Sequence, residues 1–486
     1  MLAGEGLSAA AEVFAGLPPA RSDGAALRAS VRAMRAADGL LLGVLDDDPT
    51  GSQAMHDVQV VTVLAESAYD AALGGPGATC FVLTNTRSVD EPAAIKLTMR
   101  AARGLMAVAG RRGMRIQLIS RSDSTLRGHV MAEVAALDAV RREVLGRGFD
   151  AVLLVPAFLE AGRLTAGDVH WARTDSGLVA VGETEFARDP AFGYTASNLR
   201  DFVAEKAGRT IGRGEVRSIS LADIRAGGPS MVRDVLANLR DGAWVVVNAT
   251  EYSDLETVAC GVLEAERAGK SFLFRAGPSF VRALAGIEPK APLRGMALWP
   301  AGAPGRHGLI VVGSHVGHTS RQVAVLRARG VTTDIELDVP SIVRGAAGDV
   351  VATAARQVAD ALPRSDVLLY TSRAFVAADD VADHLVIGQA VSGALSRIVR
   401  EVLAARPGWI LAKGGITSHD VARHGLGIRR AEVAGQLFPG MISVFRPIDS
   451  APGTRGVPYV VFAGNVGDET TLARAVAILN GEPDGY

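Results

Sequence analysis

Two groups of residues in this 486-residue chain are suited to chemistry, and they lie far apart in the sequence. The first is acidic: Asp46-Asp47-Asp48-Pro49-Thr50-Gly51, directly after the apolar run 40–45. Carboxylates there can accept hydrogen bonds from substrate hydroxyls, hold Mg2+ through water, or act as a base. Asp-Pro-Thr-Gly is also ordinary turn chemistry, so the loop alone is equally a solvated turn with capping aspartates. The second group is glycine-rich: Gly313-Ser314-His315-Val316-Gly317-His318, after the apolar run 309–312. Backbone N–H groups that open a helix suit phosphate. Together the two groups suggest phosphoryl transfer across a cleft between two domains.

Other strand-end loops add to each group. Ser120-Arg121-Ser122-Asp123-Ser124-Thr125-Leu126-Arg127-Gly128 follows the strand-like run 115–119. One helix cap needs one Ser or Asp. This loop is far richer, and its arginines match a carboxylate with paired hydrogen bonds. It therefore reads as a loop that can bind a polyol and its carboxylate together, with an N-cap cluster for the following helix as the alternative. Arg87, in Thr84-Asn85-Thr86-Arg87-Ser88, ends another strand beside them. The segment 156–165 also follows a strand and reads as a cleft wall, a mobile loop or plain scaffolding. In the second half, Lys413-Gly414-Gly415-Ile416-Thr417 and Gly464-Asn465-Val466-Gly467 each sit between a strand-like run and a helix. Glycine lets backbone approach a ligand closely. Three such junctions in one half point to a nucleotide phosphate chain.

The elements that position these loops alternate. Strand-like runs at 40–45, 79–83, 115–119, 151–155, 243–247 and 271–274 are separated by helical stretches such as 92–106, 130–145 and 255–268. This is the pattern of a parallel α/β sheet. The segment 286–308 interrupts it with Pro289, Pro292, Pro300 and Pro304, and reads as a linker. The alternation then restarts at 309–312, 332–337, 367–370, 409–412 and 459–462. The sequence thus divides into an extension (1–38, with an amphipathic helix at 26–37), an α/β domain (39–285), the linker (286–308) and a second α/β domain (309–486). The sheets are expected to be largely parallel.

Composition excludes several classes. With 48% apolar residues the chain is globular. Its 51 Lys+Arg against 52 Asp+Glu give no reason to expect nucleic acid or an anionic membrane as partner. No run approaches the ~20 apolar residues of a membrane span. Cys80 and Cys260 read as buried free thiols, which fits the reducing cytoplasm. A P-loop is absent: Gly269-Lys270-Ser271 has Glu264 where the first glycine belongs, and precedes a strand. No Gly-x-Gly-x-x-Gly follows a strand. His315 and His318 have metal-like spacing, but nothing completes a zinc set. The metal ligands stay unknown, and the apolar helix faces leave open packing within one chain or across a homodimer.

Asp47 to Gly51, Asp123 to Gly128, Gly313-Ser314 and Gly414 to Thr417, in that order, resemble the four-carbon acid sugar kinase family. The resemblance runs from about residue 40 to about residue 477, and Asp-Ser-Thr-Leu-Arg-Gly is its most specific string. It implies an N-terminal sugar-acid-binding domain and a C-terminal ATP domain. The acid sugar would meet Asp47 or Asp48, Arg87, Arg121, Ser122, Asp123, Ser124 and Arg127. ATP would meet Ser314, Gly414, Gly415, Ile416, Thr417, Gly464, Asn465, Val466 and Gly467. The implied reaction moves the γ-phosphoryl of ATP, with Mg2+, to the terminal 4-hydroxyl of threonate, erythronate or an oxo-tetronate, with Asp47, Asp48 or Asp123 as base. Three departures bear on substrate and donor: Arg121 where family members usually carry Lys, Pro49 and Ser52 where many carry an aliphatic residue and Ala, and a last loop without the usual Lys and Phe. The other readings are a non-catalytic sensor that keeps the acid-sugar site, and a metal-dependent sugar-acid lyase or isomerase. Ligand-dependent ADP release separates the kinase from the first, and turnover without nucleotide would support the second.

Overall fold

The computed structural model describes residues 14–174, 177–208, 210–299, 307–313, 317–372, 381–464 and 466–482. The chain divides into two compact units, Met1–Met55 with Leu64–Pro289, and His56–Val63 with Lys290–Tyr486. In chain order the strands are β1 (Leu40–Asp46), β2 (Val58–Val61), β3 (Thr79–Leu83), β4 (Arg115–Arg121), β5 (Ala151–Val155), β6 (Arg163–Ala166), β7 (Val169–Thr174), β8 (Gly177–Ala180), β9 (Arg217–Ile219), β10 (Ala243–Val247) and β11 (Phe272–Ala276). They continue as β12 (Leu309–Val312), β13 (Thr332–Leu337), β14 (Asp366–Thr371), β15 (Ile410–Lys413), β16 (Arg430–Phe438), β17 (Met441–Asp449) and β18 (Tyr459–Phe462).

In the first unit, β3-β1-β4-β11-β5-β10-β9 form a sheet whose pairings are all parallel. Strands β1, β3 and β5 are buried along their whole length. That is why they read in the sequence as unbroken apolar runs: helices cover both faces of such a sheet. The order has a functional consequence. The chain goes from β1 to β3 on one side, then crosses to β4 on the other. The carboxyl end of β1 is thus a switch point, where the loops after β1, β3 and β4 converge and a crevice opens.

The helix Gly24–Ala37 of the N-terminal segment belongs to this unit. It buries Leu27 and Val31, and its Arg28 pairs with Glu256 on the helix Tyr252–Arg267. A small antiparallel sheet, β6-β7-β8, occupies the stretch that begins with the expected cleft wall.

The second unit has the order β13-β14-β12-β15-β18-β17-β16-β2. Strands β12 to β15 and β18 are parallel; β16, β17 and β2 add antiparallel partners. Here too the order reverses beside β12, so the loops after β12, β15 and β18 lie at neighbouring carboxyl ends. The segment His56–Val63 lies with this unit, because β2 pairs with β16. A linear division of the sequence has no place for that excursion. The proline-rich stretch read as a linker is also more than a tether: Leu293, Leu298 and Trp299 are buried in the core of the second unit.

Candidate active site

Asp46 closes β1 with its side chain fully buried, and its carboxylate accepts a 2.9 Å hydrogen bond from Arg121 Nη1 at the end of β4. A Cβ on Gly51 would fall 2.2 Å from both Asp46 oxygens, so only glycine lets the acidic loop fold back on this carboxylate. Asp47 is 2% exposed, and neither of its oxygens has a hydrogen-bond partner. Arg121 Nη1 stands 3.5 Å and Arg87 Nη2 3.6 Å from Asp47 Oδ1. Arg87 also pairs with Asp48 at 2.7 Å and lies 3.5 Å from Asp123. Asp123 in turn pairs at 2.6 Å with Arg127, whose guanidinium lies over the Phe186 ring.

The structure therefore brings Asp47, Asp48, Arg87, Arg121, Asp123 and Arg127 into one chain of alternating charge at the switch point. Ser122 and Ser124 are buried in the same loop. Asn85 and Leu126, both in these loops, hold left-handed backbone (φ 51° and 70°). Such conformations cost non-glycine residues about 1–3 kcal/mol each and persist where the surroundings impose them.

The carboxylates are not equivalent. Burial pushes Asp46 up to about 7 against the pull of Arg121. Burial pushes Asp47 up to about 6 against Arg87, Arg121 and Arg275. At Asp48 burial also opposes ionisation, but Arg87 and the Thr50 hydrogen bonds outweigh it and hold its pKa below the ordinary value. Asp123 is held well below the carboxylate range, because Arg87 and Arg127 overcome its burial. Among the candidate bases, only Asp47 combines a raised pKa with free oxygens.

Two supports of this site were missed by sequence reasoning. Arg275 on β11 and Glu133 on the helix Val130–Leu145 form a buried ion pair under the site. The available signal was a lone charge inside a strand otherwise apolar, Phe272–Ala276, since buried charges are rare unless paired. The small sheet contributes as well. His170 Nε2–H donates to the Ser124 carbonyl at 2.8 Å, and the Thr165 hydroxyl donates to Nδ1 at 2.9 Å. Tyr194 donates to the Thr125 carbonyl at 2.6 Å. These bonds hold the Asp123–Gly128 loop from outside. Burial keeps His170 neutral, with its pKa down to about 4.

In the second unit, Gly313 follows β12 so close to Thr417 that a Cβ would lie 2.3 Å from Thr417 Oγ1. Gly414 takes φ 113° and donates its N–H to Phe462 at 2.8 Å. Gly467 takes φ 77°, and a Cβ there would meet Thr471 Oγ1 at 2.4 Å. Gln322, on the helix Gly317–Ala328, donates to the carbonyls of Val466 (3.1 Å) and Asp468 (2.6 Å). His318 donates to the Gly467 carbonyl at 3.0 Å. Lys413 is fully buried over the Phe462 ring, donates to Ala463 at 3.2 Å, and is pushed down to about 7 by burial. Gly415 begins a short helix, Ile416 is 49% exposed, and Gly464 accepts from Thr319. Ser314 and Asn465 lie outside the described residues. Glycine at 313 and 467 thus lets these loops pack directly against Thr417 and Thr471. Among the described residues, no group of three or more His, Cys, Asp or Glu side chains is arranged to hold a metal ion.

The chain matches two family models, a sugar-binding N-terminal domain over residues 42–284 and a nucleotide-binding C-terminal domain over residues 309–472. The chain belongs to the four-carbon acid sugar kinase family. It is 28% identical to a D-threonate kinase of Cupriavidus necator over 384 residues, which cover 77% of this chain and 83% of that protein. The same two-domain α/β fold occurs in a Salmonella typhimurium protein (TM-score 0.64, 19% identity, covering 90% of this chain and 98% of that one). It occurs also in a Haemophilus influenzae protein (TM-score 0.57, 18% identity, 90% and 100%). This family member thus has an α/β sugar-binding part and a nucleotide-binding part. No helix among its described residues is long and apolar enough to cross a membrane.

Proposed function

We propose that this family member is an ATP-dependent kinase that phosphorylates the terminal 4-hydroxyl of a four-carbon sugar acid such as threonate, erythronate or an oxo-tetronate. The observation that carries the reading is the Asp47 carboxylate, buried, without a hydrogen-bond donor, and flanked by Arg87 and Arg121 at the switch point of the first unit. A sugar acid supplies what that arrangement lacks: a hydroxyl to donate to Asp47 and a carboxylate for the arginines.

Asp47 accepts the proton of the acceptor hydroxyl as its oxygen bonds to the γ-phosphorus and the bond from that phosphorus to the β,γ-bridging oxygen breaks, releasing ADP. Asp48 and Asp123 stay ionised and hold Arg87 in place. Arg87, Arg121 and Arg127 fix the acid end, with Ser122 and Ser124 lining the loop. Gly414 to Thr417, Gly464, Val466 and Gly467 hold the donor phosphates, and Ile416 offers an apolar contact. Mg2+, entering with ATP as part of the donor substrate, would supply charge neutralisation. A compartment that keeps Cys80 and Cys260 reduced, the cytoplasm, suits both buried thiols.

The test is ADP release with Mg-ATP against D- and L-threonate, D- and L-erythronate, and 2- and 3-oxo-tetronate. Acid-dependent ADP release, lost in Asp47→Asn, is the expected result. Silence across the panel overturns the reading.

A further inference from the structure

Arg275 takes no part in the transfer as described, yet it is 1% exposed and two of its nitrogens, Nε and Nη2, lack a hydrogen-bond partner. Its other tip is anchored. Nη1 donates to Ser120 Oγ at 2.6 Å and to Glu133. Glu133 is held in turn by the hydroxyls of Thr86 and Ser120. The free tip faces Gly128. A methyl group there would stand 2.9 Å from Arg275 Nη2 and 3.2 Å from Asp47 Oδ2. Gly128 has φ 118°, a conformation that other residues rarely adopt. One absent side chain thus lies between an unpartnered guanidinium nitrogen, Arg275 Nη2, and an unpartnered carboxylate oxygen, Asp47 Oδ2.

We propose that Arg275 is a positioning residue for the transfer, acting through the gap left at Gly128 to hold the Asp47 carboxylate ionised and in place. The proposal rests on Asp47 as the base. Arg87 from the loop after β3, Arg121 from β4 and Arg275 from β11 face Asp47 as cations. Asp46 and Asp48 of its own loop, and Glu133 from the helix below, oppose them. Arg87 is shared with Asp48 and Asp123, and Arg121 with Asp46. Arg275 acts on Asp47 from a third element, β11.

The experiment compares full-length Arg275→Met and Arg275→Lys with the parent enzyme. kcat/KM for the best acid of the panel is measured from about pH 5 to about pH 9. Loss of the charge is expected to move the acid limb up by about one pH unit in the Met variant, with Lys restoring most of the shift. Equal losses in both variants with an unmoved limb would mean that Arg275 only packs, and overturn the proposal. A second readout needs no turnover. Melting temperatures at pH 8 are measured for Arg275→Met, Asp47→Asn and the double variant. Arg275→Met is expected to cost less in the Asp47→Asn background than in the parent; additive effects overturn the proposal. If Arg275→Met folds only when combined with Asp47→Asn, that is the same coupling in its extreme form. A chain that phosphorylates none of the acids would sink the kinase reading, while the melting cycle still decides the coupling.

Discussion

At the residue scale, Asp46 and Asp47 are buried carboxylates that the fold holds against their own solvation. Both have folded-state pKa values raised by burial, to about 7 and about 6. Their contribution to stability is therefore fully present below the unfolded-state value near pH 4 and is lost as pH rises through the folded values. Asp47→Asn is expected to melt about 2–4 °C higher than the parent at pH 8, with no such gain at pH 4, while its kcat falls about 100-fold or more. Differential scanning calorimetry and the ADP-release assay check the two halves; a variant that is less stable at pH 8 would sink the argument. Gly51 tests the same loop sterically. Its Cβ would enter the Asp46 carboxylate, so Gly51→Ala is expected to cost about 1–3 kcal/mol in denaturant unfolding. The cost should shrink in an Asp46→Ala background, because the collision partner is then gone.

At the scale of elements, the loops that form the site could be read because each follows a parallel strand buried on both faces, and such strands are unbroken apolar words in the sequence. Leu40 to Leu45 and Ala151 to Val155 announce themselves in this way. Strand β16 does not: Glu432, Gly435 and Gln436 interrupt it, and its pairing with β17 is irregular between Val433 and Gly435. Strand β2 has only four residues, and its antiparallel partner β16 lies far along the chain. Arg275 left one sign, a lone charge in an apolar strand, but nothing in the sequence names Glu133 as its partner, and each is tolerable only because of the other. The β6–β8 sheet is short, yet it secures the Asp123–Gly128 loop through His170. His170→Ala leaves the Ser124 carbonyl without its donor, an expected cost of about 1–3 kcal/mol, and should raise KM for the acid while leaving KM for ATP near the parent value. With a folded pKa near 4, below the ordinary value near 6.5, His170 contributes stability that is complete above about pH 6.5 and lost as pH falls toward 4. Gly467→Val is expected to act in the opposite sense. Its Cβ would strike Thr471 and its φ is unfavourable, so ATP affinity should fall while acid binding, followed by calorimetry, persists.

At the scale of the whole molecule, the helix Gly24–Ala37 lies ahead of the matched sugar-binding domain but is part of its packing. Arg35 is buried against Gln117, which donates to Glu266. Removing that helix would take Arg28 from the buried Glu256 and Arg35 from the buried Glu266. A chain starting at Leu40 is therefore expected to be insoluble or to melt far lower, as a soluble-fraction assay would show. The excursion of His56–Val63 has a different reach. Residues 290–486 expressed alone would leave the β16 edge unpaired, an invitation to aggregation; fusing residues 56–63 to that fragment is expected to raise its yield in the soluble fraction. During synthesis the order of events is also fixed. Val61 leaves the ribosome about 370 residues before Arg430, its ladder partner, an interval of roughly 20–70 s at ordinary elongation rates. The first unit can therefore mature early while the eight-residue tongue 56–63 still lacks its β16 partner, and the second can close only when translation is nearly finished. Any slowing of elongation lengthens the time that this tongue is open to proteases and chaperones.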